Sequence, residues 1–302
     1  MTANETAVRR IVLFLATNIA VLLLLSIVCR LFGIDQWAAA RGYGGMSGLL
    51  VYAAVFGMGG AFISLAMSKT IAKYSTGARV ITQPATEAER WLLDTVRHHA
   101  QAAGIGMPEV AIYDAPEMNA FATGMTRNSS LVAVSSGLLQ QMDREQVAAV
   151  LGHEIGHVAN GDMVTLTLIQ GVLNTLVILA ARVVGSVVDS WLSGGRDNRG
   201  GSGIGYFVTV MVLQVVFGLF ASMIVAAFSR WREFRADRAG AQFGGRGAMI
   251  SALQRLKGDH GQSTLPKAMA AFGISGHMAE GLQRLFMSHP PLDERIAALQ
   301  SA

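Results

Sequence analysis

The chain has 302 residues, 52% of them apolar and only 15% charged, with a formal net charge of +4. A soluble domain carries nearer a quarter charged residues, so an ordinary soluble globule is excluded and a polytopic membrane protein with a water-facing part is expected. The small positive excess lies beside apolar tracts, which reads as membrane topology and not nucleic-acid binding, and the lone Cys29 excludes an intramolecular disulfide or a CxxC metal site.

The first apolar tract, Ile11 to Phe32, follows Arg9 and Arg10 and is long enough to span a bilayer. It is too long for the apolar core of a signal peptide, so a retained anchor is expected. The second tract, Leu49 to Met67, is rich in Gly and Ala, as suits closely packed membrane helices. The segment after it has its own signals. Thr86 and Glu89 form a capping-box pattern, and Trp91, Leu92, Thr95, Val96 and Ala103 then recur at helical spacing before Gly104. The runs VAIYDA (110–115) and SLVAVSS (130–136) read as strands, with MNAFATG (118–124) between them. Asp143 caps a helix that should reach about Ala159 and stop at Asn160-Gly161.

A third apolar tract runs from Val164 to about Val188, with Arg182 near its far end, and a fourth from Ile204 to Phe228. The Gly-rich stretch between them, within 189–203, carries no recognisable functional motif. Beyond the fourth tract, Met249, Leu253 and Leu256 mark a helix that Gly258 should end, and the prolines of SHPPLDERIAALQ (288–300) should start a last one.

Lys and Arg at the tract ends set the orientation. Arg9, Arg10, Lys69, Lys73, Arg79, Arg230, Arg232 and Arg235 oppose Arg41, Arg196 and Arg199. Eight against three places both termini and the segments 69–163 and 229–302 in the cytoplasm. The expected organisation is an N-terminal transmembrane hairpin (1–68), a second hydrophobic hairpin (164–229), and one domain assembled from 69–163 and 230–302. The expected fold class is a polytopic α-helical membrane protein with an α+β domain.

Residues 151–162 read LGHEIGHVANGD. On a helix His153 and His157 share one face and can present two imidazoles to one metal, with Glu154 beside them. Neutral imidazoles hold Zn²⁺ without quenching its Lewis acidity, and a carboxylate next to the open position can act as general base. Small and apolar neighbours such as Ile155 and Gly156 mark this as a buried helix, where an uncompensated Glu would be costly. A third ligand is needed. A metzincin would place His at 163; the residue is Met163. Glu233, in RWREFRADR (230–238), is the leading candidate from spacing, while His98, His99, His260 and His277 stay open as alternatives. Asp237, one helical turn after Glu233, can accept a hydrogen bond from a ligand histidine and fix its tautomer; otherwise it pairs with an arginine such as Arg238.

The runs HEIGHVANGDMVTLTLIQG, SRWREFRAD, NAFATG and SHPPLDERI together resemble the HtpX family of membrane-anchored bacterial zinc metalloproteases, akin to the CAAX prenyl proteases. The likeness covers nearly the whole chain. It implies a cytoplasm-facing, multi-pass endopeptidase of the inner membrane that removes misfolded or damaged membrane proteins under stress. It implies that the α+β domain is a zincin-like (gluzincin) catalytic domain, with one Zn²⁺ per chain and Glu233 as third ligand. It further places Asn119, Ala120, Phe121 and Ala122 beside the substrate as an edge strand, and His289 near the zinc as an oxyanion stabiliser. Arg295 carries a weaker signal.

The two ligand groups must lie on one side of the membrane, so the chain between them crosses an even number of times. His157 is about seven residues before the third tract and Glu233 about five after the fourth, so each lies within roughly 10 Å of its tract at helical rise. The bilayer is therefore an expected partner, with polypeptides emerging from it as substrates. Two rival readings stand beside this one. A transporter or scaffold with a structural zinc would need ionisable groups along a membrane pathway and a fourth ligand. A specialised processing peptidase differs only in its substrate.

Overall fold

The computed structural model describes residues 46–192, 204–259 and 285–302. The expected first apolar tract, the centre of the 189–203 loop, His260 and His277 lie outside the described residues. Eight helices and four strands are formed among those described: α1 (Met46–Thr76), β1 (Arg79–Val80), α2 (Glu87–Ala102), β2 (Glu109–Tyr113), β3 (Ala120–Thr126), β4 (Ser129–Ser135), α3 (Ser136–Gln141), α4 (Arg144–Asn160), α5 (Asp162–Leu192), α6 (Ile204–Gly244), α7 (Arg246–Asp259) and α8 (Leu292–Gln300). Among the described residues three stretches are long and apolar enough to cross a membrane: Val51–Thr76, Asp162–Arg182 and Gly205–Gly244.

The chain divides into two compact units, with the divisions falling inside α1, α5 and α6. Among described residues the first holds 65–166, 226–259 and 285–302, and the second holds 46–64, 167–192 and 204–225. In the second unit small residues set the helix packing. A Cβ on Gly57 would lie 2.4 Å from Thr175 Oγ1, and one on Gly171 would lie 3.2 Å from Met58 Cα. Such close backbone approach is how membrane helices associate without a hydrophobic driving force between them. The Arg182 guanidinium sits 4.2 Å from the centre of the Tyr52 ring, a cation–π contact that houses this charge.

The first unit carries a four-stranded mixed sheet in the order β1-β2-β4-β3. β2 and β4 run parallel, while β1 and β3 are antiparallel to their neighbours. β3 is thus an outer strand of this sheet. Lys69 and Lys73, on the last turns of α1, pair with Glu109 of β2 at 2.6 and 3.0 Å. The Thr86–Glu89 capping box starts α2 as its sequence pattern predicts, and Arg79 pairs with Glu89 at 2.5 Å. α2 then packs Leu92 and Val96 into a core with Val110, Val132, Val134, Leu151 and Ile155. Full burial of side chains of this size contributes about 1.5–3 kcal/mol each before entropy is counted. α4 lies at the centre of this core, buried almost continuously from Val147 to Val158.

Three helix boundaries add to the sequence pattern. α6 continues unbroken from its apolar stretch through Gly244, because EFRADRAGAQ adds no breaker that the helix cannot absorb. α7 runs through Gly258 to Asp259 instead of stopping before the glycine. α8 begins after Pro291, which occupies the capping position.

Candidate active site

Local sequence fixes α4 at both ends. Asp143 accepts a hydrogen bond from the Gln146 N–H at 2.8 Å, and the Gln146 side chain returns to the Asp143 N–H at 3.2 Å. This reciprocal pair satisfies two of the orphan donors at the helix start. Gly161 ends α4 in a left-handed conformation (φ 67°, ψ 31°), its N–H bonded to the carbonyls of His157 and Val158.

α6 packs against α4 through small residues on both helices. A Cβ on Gly156 would lie 2.5 Å from Ala239 Cβ, and one on Gly240 would lie 2.9 Å from the Ala149 carbonyl oxygen. This backbone approach brings Glu233 and Asp237 against the two histidines. His153 Nε2 is 3.6 Å from Glu233 Oε2, and His157 Nε2 is 3.3 Å from Glu233 Oε1. Two zinc bonds of about 2.0–2.1 Å at a tetrahedral angle separate their ligand atoms by about 3.3–3.4 Å, close to these two distances, each of which runs to a different Glu233 oxygen. His153, His157 and Glu233 form a buried cluster in which one ligand atom from each lies within 4.8 Å of the others. Glu154, between the two histidines in sequence, is 9% exposed.

The donor set fits a divalent cation on a further ground. Glu233 is fully buried, and neither carboxylate oxygen receives a well-aligned hydrogen bond among the described residues. His289 Nδ1 approaches Oε2 to 2.8 Å and Arg295 Nη1 to 3.4 Å, but off the line of a hydrogen bond. These imidazole and guanidinium groups offset part of the cost of burying the Glu233 carboxylate, and a cation held between it and the two histidines would offset more. Electrostatics agree. Burial disfavours a proton on His157, yet the carboxylates of Asp162 and Glu233 outweigh it and raise the imidazole to about 9. A field that favours charge there also favours a metal cation.

Each of these two imidazoles has a carboxylate at its Nδ1 nitrogen. Asp237 Oδ1 lies 2.9 Å from His153 Nδ1, where the sequence reading placed it, though the pair is not ideally aligned. Asp162 Oδ2 lies 2.7 Å from His157 Nδ1. Asp237's arginine partner is not Arg238, whose Nε donates to the Phe234 carbonyl. It is buried Arg295, which donates from Nε and Nη2 to both Asp237 oxygens at 2.8 and 2.6 Å. Burial opposes the Arg295 charge, but the Asp237 hydrogen bonds and Glu233 hold its pKa above the ordinary value. The pair lies 58 residues apart in sequence, so local spacing could not find it.

The remaining candidates fall as follows. His289 is beside Glu233 with its side chain 60% exposed. Arg230 donates to the Met287 and Leu285 carbonyls at 2.8 and 3.3 Å, tying down the segment that leads to His289. Asn119 accepts a hydrogen bond from the Ser135 N–H just before β3, and Ala120, Phe121 and Ala122 pair with Val134, Ala133 and Val132 of β4. β3 packs against α4, so this stretch neighbours the histidine helix. His99 does not join the site. It is buried, not a surface residue, and its Nε2 bonds to the Ala148 carbonyl while its ring stacks on Phe243.

This fold and this site define a membrane-bound metallopeptidase. The chain belongs to peptidase family M48, whose model matches residues 86–302. It is 64% identical over 293 residues to "Protease HtpX" of Xanthomonas euvesicatoria pv. vesicatoria (strain 85-10), covering 97% of both chains, and similarly 64% identical to that of Xanthomonas axonopodis pv. citri (strain 306). Among solved structures it resembles S. mikatae Ste24p, with a TM-score of 0.60 and 18% identity. That match covers 83% of this chain and 58% of the other, and it speaks to fold alone.

Proposed function

We propose that the protein is a zinc-dependent endopeptidase that cleaves misfolded or damaged membrane proteins at the cytoplasmic face of the bacterial inner membrane. The observation that carries the reading is the buried cluster of His153, His157 and Glu233, with the imidazole Nε2 atoms 3.6 and 3.3 Å from the Glu233 oxygens. His153 and His157 would each offer Nε2 and Glu233 a carboxylate oxygen. Zinc, when bound, acts as a Lewis acid and lowers the pKa of its water to about 7. Glu154 takes the proton of the attacking water and later delivers it to the departing amine. His289, exposed and 2.8 Å from Glu233, would donate to the developing oxyanion. Asp237, held by Arg295, keeps the His153 ring oriented.

The outer strand β3 offers a further support. An extended polypeptide can add to an unpaired strand edge through backbone hydrogen bonds with little sequence demand, which suits a protease of unfolded substrates. The Asn119–Ala122 stretch would supply that edge beside α4. The cytoplasmic placement rests on the Lys and Arg distribution across the apolar tracts.

The test uses full-length protein purified in detergent. Metal analysis should find one zinc per chain, and an unfolded polypeptide should be cleaved. Glu154→Gln should keep the zinc while turnover drops at least about 100-fold. A wild type without zinc, or an active Glu154→Gln, would overturn the proposal.

A further inference from the structure

The Asp162 carboxylate is 2% exposed, and its Oδ2 lies 2.7 Å from His157 Nδ1. Five residues separate it from His157. On an unbroken helix five residues turn the chain about 500°, leaving the two side chains about 140° apart around the axis. They would not meet. Gly161 removes that obstacle: its left-handed backbone closes α4, and α5 starts afresh at Asp162 on a new axis. The Asp162 carboxylate thereby returns to the His157 ring. Its other oxygen, Oδ1, lies 3.7 Å from Arg235 Nη2 on α6.

We infer that Asp162 is a positioning residue for the metal centre, holding the His157 ring so that Nε2 faces the metal. The inference rests on the proposed ligand set. An imidazole that ligates through one nitrogen carries its proton on the other, and the group accepting that proton fixes both tautomer and ring rotation. Asp162 accepts at Nδ1. The Nε2 lone pair is then left directed toward Glu233 Oε1, 3.3 Å away. His153 has the equivalent arrangement with Asp237. The two ligand histidines are thus each steadied by a carboxylate, one from α6 and one from the α4–α5 turn.

A competing role is ordinary: an acidic residue at a helix start is favoured by the partial positive charge there. The two roles separate in measurement. A helix-start role affects folding stability and leaves the metal alone. A positioning role alters the metal itself.

The experiment uses full-length protein in detergent, stripped of metal and reloaded. Zinc affinity is read by competition with a calibrated chelator, and Co²⁺ loading gives the visible ligand-field spectrum. Thermal melting of the stripped protein reports folding. Asp162→Asn is expected to bind zinc about 10–100-fold more weakly and to shift the Co²⁺ bands. Wild-type affinity with an unchanged Co²⁺ spectrum in Asp162→Asn overturns the inference while leaving the ligand set standing. A wild type that takes up no zinc overturns both. Should Asp162→Asn fail to fold, Asp162→Glu keeps the charge at the helix start and displaces the carboxylate from His157 Nδ1 by one methylene. Weaker zinc binding in that variant supports the assignment, and unchanged binding overturns it.

Discussion

Adding one methyl group at Gly156 should disable the metal centre without touching a ligand. An alanine Cβ there would sit 2.5 Å from Ala239 Cβ. Carbon atoms in contact rest about 3.5–4.0 Å apart, so α4 and α6 would have to separate locally by about 1 Å or more. Overpacking of this kind costs about 1–3 kcal/mol of stability. The effect on the metal is sharper, because ligand distances hold to within about 0.2 Å. His153 and His157 ride on α4 and Glu233 on α6, so the widened gap draws the third ligand out of reach. Gly156→Ala should bind zinc at least about tenfold more weakly, and peptidase activity at limiting zinc should fall with it. The double variant Gly156→Ala with Ala239→Gly should recover most of the affinity. The neighbours next nearest to the added Cβ, Ala236 Cα and the Ala236 carbonyl oxygen, lie at 3.4 and 3.6 Å, ordinary contact distances. Chelator competition on the two variants and on Ala239→Gly alone measures this. Unchanged affinity in Gly156→Ala, or no recovery in the double variant, would refute the claim that helix spacing sets the site.

Asp237→Asn should still bind zinc but about 10–100-fold more weakly, and it also leaves buried Arg295 without its carboxylate. Chelator competition with parallel thermal melting separates the two effects, and an unaltered zinc affinity would remove Asp237 from the centre. Zinc affinity should also fall as pH is lowered. The His157 imidazole is raised to about 9, so below that value a proton occupies the ring and must leave before the metal binds. From this one group the apparent affinity should drop by about tenfold per pH unit. Affinity measured by chelator competition at several pH values would show that slope, and a flat profile would contradict it.

Helix periodicity determined a good deal from sequence alone. A spacing of four puts His153 and His157 on one face, and this holds for any helix whatever surrounds it. The Asp143 start and Gly161 stop were equally legible, because capping is a contract between residues within one turn. The Gly- and Ala-rich second tract likewise announced close helix packing. What periodicity encodes is the face a side chain presents, not the partner that meets it.

The tertiary structure decided the rest. Glu233 stands 76 residues after His157, and spacing left it competing with several histidines. The fit of Gly156 against Ala239 is what brings its helix within ligand distance. Asp237 illustrates the same limit. Local arithmetic offered Arg238 as its neighbour, whereas the fold supplies Arg295 from α8, a choice made by packing of elements distant in the chain. Asp162 escapes a periodic pattern because helical geometry carried through Gly161 points it away from His157. The sequence did hold a signal for it, an acid directly after the helix-ending glycine of HEIGHVANGD, but reading it required the direction in which α5 departs. The outer position of β3 was beyond local reading too. Strand propensity is a property of a few residues, while sheet order depends on which backbone groups remain unpaired after every other strand has found its neighbour.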